Sequence, residues 1–464
     1  MLGWTVLAME GWIRRTPART HRLMKHVPLW GVRWASDAKL VRTLRHVWRN
    51  SPAQRKRWEN CGVRLRNLRS PEVLRRIPFT TSSDIAEHPE DYFCVAPGEL
   101  IHVLSTSGTK GVPKKVYLTA DDFDRQVQLI ATQLRGLPGA TRAAVTFNTE
   151  FPTWSAGPVA RRGVEAAGMF GILAGARRSV PEQIQLIKEY EINTLLGLPA
   201  YIHRITVEAA EDLRRLGVRY ILLGAQPWTE EFRRMLEAAW GAKVIDVYGS
   251  TECVYGIAAE CIRRNGLHIP ETDLRVEIIK STSGEVLPDG EEGEVVVTTL
   301  SRRGMPLVRY RTGDLAHLLA GHLRCGCGLP LRKMSRVRGR VDDVIILGGE
   351  NVYPDEFDRA LLSVPGVTDY QLVVEKESFR DVLHLAVETE RREPHLRDVL
   401  SRALVKIPQV EIGYDMMKTL TVGGIEFVPP GALSAGRTKT VRIIDRRNPA
   451  LHPSPTAAGL PAPQ

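Results

Sequence analysis

The sequence predicts an α/β chain: a large N-terminal part with parallel sheets and a small β subdomain, then a small α+β C-terminal domain. Three observations carry this. Between about residues 100 and 248, short apolar runs alternate with helix-length amphipathic segments, the pattern of strands joined by crossover helices. From Leu274 the texture changes to strands separated by tight turns. Beyond Arg338, a Gly-punctuated hairpin precedes two helices and two strands in one compact stretch.

Residues 1–36 are rich in Arg and Trp and carry few helix start or stop signals, so they read as a basic extension, a partner-binding arm or a partly disordered segment. Helical periodicity begins near Asp37 and runs to about Arg76, broken at Ser51-Pro52 and Cys61-Gly62. Pro78 ends it, and Thr80 to Ser83 offer caps for another short helix. Residues 100–104 read as a buried strand. Spans 120–134, 180–190 and 229–240 read as helices, and 143–147, 192–197, 219–224 and 243–248 as strands. Residues 157–176, rich in Gly and Ala, suit close helix packing. Ligands of such sheets sit beyond the carboxyl ends of the strands, so the elbows at Ser105, Gly224 and Tyr248 are expected to converge on one crevice. In the β subdomain, strands 275–279 and 293–298 flank a turn at 287–290. The C-terminal domain is predicted as helix 354–362, strands 370–374 and 382–387, and helix 396–405. Residues 447–464 have the composition of a disordered tail.

The densest polar cluster is Ser105-Thr106-Ser107-Gly108-Thr109-Lys110-Gly111-Val112-Pro113-Lys114-Lys115. Glycines let backbone N–H groups fold around an anion, hydroxyls add donors, and Lys114 adds a point charge suited to phosphate. The spacing is not that of a Walker A loop, because Pro113 stands where that pattern needs Gly. Taken alone, the stretch reads equally well as a solvated surface turn. Tyr248-Gly249-Ser250-Thr251-Glu252 closes a strand with a ring for stacking, a close backbone approach, two hydroxyls and a carboxylate suited to Mg²⁺. Met305 to Asp314 ends another strand in a carboxylate able to accept both hydroxyls of a ribose, and Arg340 follows in Arg338-Gly339-Arg340-Val341-Asp342-Asp343. Each is singly more often a turn or surface ion pair; together with the 105–115 stretch, in this order and spacing, they are not bland, and a nucleotide site can use each of them.

As a set, these motifs together with Ile77-Pro78-Phe79-Thr80-Thr81 resemble the adenylate-forming superfamily of acyl-coenzyme A synthetases, and within it phenylacetate–coenzyme A ligases. The resemblance runs from about residue 40 to 446. It implies an AMP-binding domain at 37–341 and a small mobile domain at 342–446 that rotates between two half-reactions. The first makes an acyl-adenylate and pyrophosphate from a carboxylic acid and Mg-ATP; the second transfers the acyl group to coenzyme A. Position by position, Thr106, Ser107, Gly108, Thr109, Gly111 and Lys114 would hold the β- and γ-phosphates. Gly224, Ala225, Gln226, Tyr248 and Gly249 would face adenine, Thr251 the α-phosphate and Glu252 the Mg²⁺. Asp314 and Arg340 would bind ribose, Asp342 would be the hinge, and Gly348 and Gly349 would border the thiol tunnel. Lys439 would be the catalytic lysine, although Thr438 replaces the family's Gly and Arg437 competes for the role. Lys110 and Gln226 also depart from the family's usual Thr and Glu.

Cys325-Gly326-Cys327-Gly328 is a knuckle able to chelate one ion, and Cys261 with His268 would complete a tetrahedral S₃N set for structural Zn²⁺. The alternative is unrelated thiols and a stray His. Relatives of the group look similar at these positions.

The net charge of +11 is uneven: residues 1–80 hold 18 Lys+Arg and 4 Asp+Glu, a balance of +14. Solvated helix faces are the favoured reading, ahead of nucleic acid, anionic lipid or a phosphorylated ligand. No apolar run suggests a membrane span, the N-terminus lacks the form of a secretory signal, and the cysteine usage fits a reducing cytoplasm. Three functions stay open on sequence: an acid–thiol ligase using coenzyme A, an adenylating enzyme that loads a carrier protein or an amine, and a basic nucleic-acid-binding relative without the chemistry. The acid is open, with an aryl or arylacetic one weakly suggested by residues 147–154 and 197–201. The oligomeric state is open too, a homodimer among the possibilities.

Overall fold

The computed structural model describes residues 17–105, 114–147, 156–175, 178–226, 228–253, 256–320, 325–341, 345–347, 350–352, 354–378, 380–390, 394–416, 418–433 and 441–447. The chain divides into two compact units, one of Met1–Pro227 with Arg233–Val337, the other of Trp228–Phe232 with Arg338–Gln464.

The first unit opens with helices α1 (Pro17–Met24), α2 (Leu29–Asn50) and α3 (Pro52–Asn60). Helix α2 starts at Leu29, eight residues before the periodicity predicts. Its first turn has no side-chain cap, which is why the start is silent in sequence, yet Val32 and Ser36 are buried. Leu40, Leu44 and Val47 continue that buried face onto Trp58 and Leu68. Helix α4 (Ser82–Glu87) starts where the Thr81–Asp84 capping box places it.

Strands β1 (His102–Ser105) and β2 (Lys115–Leu118) form a separate antiparallel pair. The strand before the Gly/Ser/Thr loop is therefore not part of the parallel sheet, contrary to the expected convergence of three strands of one sheet. Helix α5 (Ala120–Leu134) follows, with Phe123, Val127, Ala131 and Leu134 inward. Its cap residue Asp122 also accepts from the backbone N–H groups of Arg303 (2.6 Å) and Gly304 (2.8 Å).

Strands β3 (Arg142–Val145), β4 (Phe170–Leu173), β5 (Thr194–Gly197), β6 (Tyr220–Gly224) and β7 (Lys243–Tyr248) lie parallel in the order β4-β3-β5-β6-β7. Helices α6 (Gly157–Ala166), α7 (Val180–Glu189), α8 (Pro199–Glu208) and α9 (Glu230–Trp240) alternate with them. Edge strand β4 sits in the Gly/Ala-rich stretch read as helix packing alone; its four residues, FGIL, are apolar, yet none is fully buried at the sheet edge. Strands β8 (Ala258–Glu260) and β9 (Leu267–His268) extend the sheet antiparallel.

Strands β10 (Leu274–Ile279), β11 (Gly293–Thr299) and β12 (Tyr310–Ala316) pair antiparallel, as the β subdomain predicts, and β13 (Lys333–Met334) pairs with β9. Asp314 lies inside β12 rather than at its end. No helix among the described residues is long and apolar enough to cross a membrane.

The second unit has strand β14 (Gly339–Arg340), the hairpin β15 (Ile345–Leu347) and β16 (Glu350–Val352), and helix α10 (Pro354–Leu361). Strands β17 (Val367–Glu377), β18 (Arg380–Thr389), β19 (Leu420–Val428) and β20 (Ile443–Asp445) form a sheet in the order β19-β18-β17-β20. Helix α11 (Pro394–Val405) and the short α12 (Pro408–Glu411) complete it. Phe357, Leu361, Leu400 and Leu404 bury their side chains against Leu372, Leu383 and Leu385 of the sheet. Strands β19 and β20 have no counterpart in the sequence reading.

One buried ion pair holds this second sheet to its helix. Arg442 donates to Asp358 on α10 (2.5 Å) and to Asp369 on β17 (3.2 Å), and the Tyr370 hydroxyl donates to Asp358 at 2.7 Å. Asp358 is 2 % exposed. Arg442→Ala strands that carboxylate, with an expected loss of about 3–5 kcal/mol in unfolding free energy. Chemical denaturation measures it, with Arg442→Lys expected to recover part of the loss. A loss below about 1 kcal/mol, the size of an exposed pair, would mean that the pair is not structural.

Candidate active site

Two strands from different sheets supply the site. Strand β7 ends in Tyr248 and turns through Ser250 and Thr251 to Glu252, while β12 carries Tyr310 and Asp314. The turn is local chemistry: the Ser250 hydroxyl accepts from the Cys253 N–H at 3.2 Å. Gly224 must be glycine, because a Cβ there would lie 2.8 Å from the carbonyl oxygen of Val247 on the neighbouring strand. Ala225 follows in the left-handed region at φ 69°. Gln226 accepts from the Ala200 N–H at 3.2 Å, tying this elbow to the first turn of α8.

Glu252 is 4 % exposed. Its Oε1 forms an ion pair with the Lys114 ammonium and accepts from the Tyr310 hydroxyl at 2.7 Å. Lys114 also donates to the Tyr310 oxygen at 3.5 Å. Arg302, 6 % exposed, donates to the Glu252 carbonyl oxygen at 2.7 Å and so fixes the backbone of the turn. Burial alone would push the Glu252 carboxyl up; the Lys114 charge and the hydrogen bonds of Lys114 and Tyr310 outweigh it, and the group sits below its ordinary value. Four residues along β12, Asp314 accepts from the Tyr248 hydroxyl at 2.6 Å. Burial, and then the Asp314 charge, hold that phenol well above its usual range. Gly313, at φ 78°, gives β12 the kink that this spacing uses.

The expected residues are thus brought together in part. Lys114, Glu252, Tyr248 and Asp314 share one site in the first unit, while Gly224, Ala225 and Gln226 end the strand beside β7. Thr106, Ser107, Gly108, Thr109 and Gly111 lie outside the described residues, as do Asp342, Gly348, Gly349 and Lys439; the flanking Ser105 pairs with Lys115, and Lys114 stands one residue before β2. Arg340 belongs to the second unit. Sequence reasoning missed Tyr310 and Arg302. Tyr310 stands inside a motif quoted for other residues, and the Arg302–Arg303 pair gives no signal of which arginine turns inward.

A separate constellation lies at the far edge of the parallel sheet. The β8–β9 hairpin brings Cys261 near His268, and β13 pairs with β9 to seat the 325–328 knuckle beside them. The ligand atoms of Cys261, His268, Cys325 and Cys327 all lie within 4.8 Å of one another. Cys261 Sγ is 3.7 Å from Cys325 Sγ, and Cys327 Sγ is 3.5 Å from His268 Nε2. His268 Nδ1 is buried without a hydrogen-bond partner. Three thiols and an imidazole at these separations fit a tetrahedral soft-metal site with no open position.

Because the Glu252 carboxyl is held below the ordinary Glu value of 4.5, its contribution to stability is complete above that pH and disappears as pH falls through the lower folded value. Glu252→Gln is therefore expected to melt at nearly the same temperature at pH 4 and pH 7, apart from losses shared with the parent, while the parent loses the extra increment below about pH 4.5. Melting curves across pH measure it. An increment that disappears near neutrality instead would contradict the Lys114–Glu252 pairing.

The AMP-binding enzyme family matches residues 36–301, and the AMP-binding enzyme C-terminal domain matches residues 349–447. The phenylacetate-coenzyme A ligase of Pseudomonas putida is 32% identical over 366 residues, covering 76% of this chain and 81% of that enzyme. The phenylacetate-coenzyme A ligase of Aromatoleum evansii is 31% identical over 430 residues, covering 88% and 93%. Among solved structures, 2-hydroxyisobutyryl-CoA ligase in its postadenylation state, in complex with 2-HIB-AMP, has the same fold: TM-score 0.75 at 24% identity, over 90% of this chain and 91% of that one. A buried lysine–carboxylate pair at the root of a Gly/Ser/Thr loop, on an α/β scaffold matched over more than half its length, places this chain in the AMP-binding enzyme family.

Proposed function

We propose that this chain is an ATP-dependent acid–thiol ligase that activates a carboxylic acid as its acyl-AMP and then transfers the acyl group to coenzyme A. The observation that carries the reading is the Lys114–Glu252–Tyr310 cluster, which sets a cation and an ionised carboxylate at the root of the 106–113 loop. In the first half-reaction a substrate carboxylate oxygen attacks the α-phosphorus in line, the bond to the bridging oxygen breaks, and pyrophosphate leaves. Lys114 and the loop hold the outgoing phosphates, and Thr251 the α-phosphate. Glu252 suits Mg²⁺, which binds through one or two carboxylates and substrate phosphates and neutralises developing charge. Asp314 and Arg340 take the ribose. Lys439 supplies the remaining positive charge at the α-phosphate, Asp342 is the hinge, and Gly348 and Gly349 border the path of the thiol.

The acid pocket is assigned to residues 147–154 and 197–201. Sheet order supports this, because the chain leaves β3 for β4 on one side and returns to β5 on the other, a topological switch point. Packing there is close: a Cβ on Gly197 would lie 2.1 Å from the Thr146 side-chain Oγ1. Similarity to phenylacetate-coenzyme A ligases favours an aryl or arylacetic acid. Acid-dependent exchange of pyrophosphate into ATP across a panel of acids, followed by coenzyme A consumption, tests the reading. Exchange without coenzyme A consumption would point to a carrier-protein or amine acceptor; no exchange with any acid would overturn the proposal.

Lys439→Ala removes one charged donor from the adenylation transition state, an expected loss of about 10²–10³ in exchange rate. Thioester formation from supplied acyl-adenylate should stay near the parent rate. If Arg437→Ala abolishes exchange and Lys439→Ala does not, the assignment moves two residues upstream.

Cys261, His268, Cys325 and Cys327 are assigned to a structural Zn²⁺. The expected content is about one zinc per chain in protein purified without added metal. Cys327→Ser should lose the zinc and melt lower, with adenylation kinetics altered only through stability. Metal-free protein melting like the parent would sink the site.

A further inference from the structure

We propose that the N-terminal helical region exposing Leu23 on α1 and Trp30 and Trp34 on α2 is a docking surface for an anionic lipid bilayer. The inference does not rest on the reaction proposed above. Trp30 is 73% exposed, Trp34 40% and Leu23 39%, three of the seven exposed large hydrophobic side chains among the described residues, within twelve positions of sequence. Trp30 and Trp34 stand at i and i+4 on α2 and so share a face. Helix α2 has its own core contacts through the buried Val32, Leu40, Leu44 and Val47, whereas Trp30 and Trp34 stay exposed.

Charge decides the occupant. Residues 17–50 hold eight Lys and Arg against one acid, Asp37, and Asp37 is paired with Arg275. Two of the cations are turned inward, Lys39 onto the Thr272 carbonyl and Arg45 onto that of Leu68, each at 2.7 Å. Arg22, His26 and Arg33 are exposed between and beside the apolar three. Exposed tryptophans with cations close by in sequence suit an interface where rings settle at headgroup depth and arginines meet lipid phosphates. A second copy would bring like charge to like, and three apolar side chains fall well short of the roughly 20–30 residues a side that a stable protein interface needs.

Flotation of the full chain with phosphatidylcholine vesicles, with and without admixed phosphatidylglycerol, tests this. Binding is expected to the anionic vesicles alone, to weaken as salt rises, and to fall by about tenfold or more in Trp30→Ala/Trp34→Ala. Arg22→Glu should weaken it as well. Neither variant touches the core, so both should melt and exchange pyrophosphate like the parent. Equal or no binding to the two vesicle types overturns the proposal, as does undiminished binding by the double variant. Sedimentation showing that the double variant breaks up an oligomer of the parent would assign the face to a second copy. Loss of a labelled-DNA shift in a chain that ignores vesicles would assign it to nucleic acid.

Discussion

The burial of the Glu252 carboxylate is the constraint around which the first unit is arranged. A carboxylate out of water costs several kcal/mol unless a cation and hydrogen-bond donors meet it. Lys114 arrives from the β1–β2 pair, Tyr310 from β12, and Glu252 itself from the turn after β7. One charge therefore ties together three parts that share no sheet. Arg302 adds a grip on the same turn through its carbonyl oxygen. The outcome is a cation and a carboxylate held in a fixed arrangement by the fold itself.

The second unit solves the same problem with the same chemistry. Asp358 is buried on α10 and met by one cation, Arg442, and one phenol, Tyr370. In both units the tyrosine satisfies a lone pair of the carboxylate that the cation leaves open, at 2.7 Å in each case. In both, the residues come from elements distant in sequence, so the ion pair fixes tertiary register rather than local structure. The proposed catalytic Lys439 precedes Arg442 by three residues, so the anchoring of β20 through Arg442 bears on where that segment emerges.

Electrostatics also separate the two ends of the first unit. The body is near neutral, and several of its buried charges are paired, as in Arg233 with Glu260 and Arg309 with Glu277. The basic surplus lies on the N-terminal helices, whose inner cations serve as hydrogen-bond anchors for Thr272 and Leu68. What stays exposed there includes Arg22, Arg33, Trp30 and Trp34.

What the sequence determined by itself was whatever depends on neighbours in the chain. Capping boxes at Thr81, Thr119 and Ser179 place the starts of α4, α5 and α7. Alternating apolar runs give the parallel strands, and the order of motifs gives the family. The sequence could not give what depends on distant partners. Edge strand β4 is a four-residue apolar run inside a Gly/Ala-rich stretch that reads equally well as helix packing, and β1 reads as one more strand of the parallel sheet until its partner β2 is seen. Helix α2 starts early because its first turn packs, not because it is capped. Lys114 was legible as a cation for phosphate, but its ion pair with Glu252 was not, because 138 positions separate them and only the packing of β12 against the end of β7 brings Tyr310 to both. Local propensity is written in adjacent residues; the compensation of a buried charge is decided by whichever distant side chain the folded backbone delivers to it.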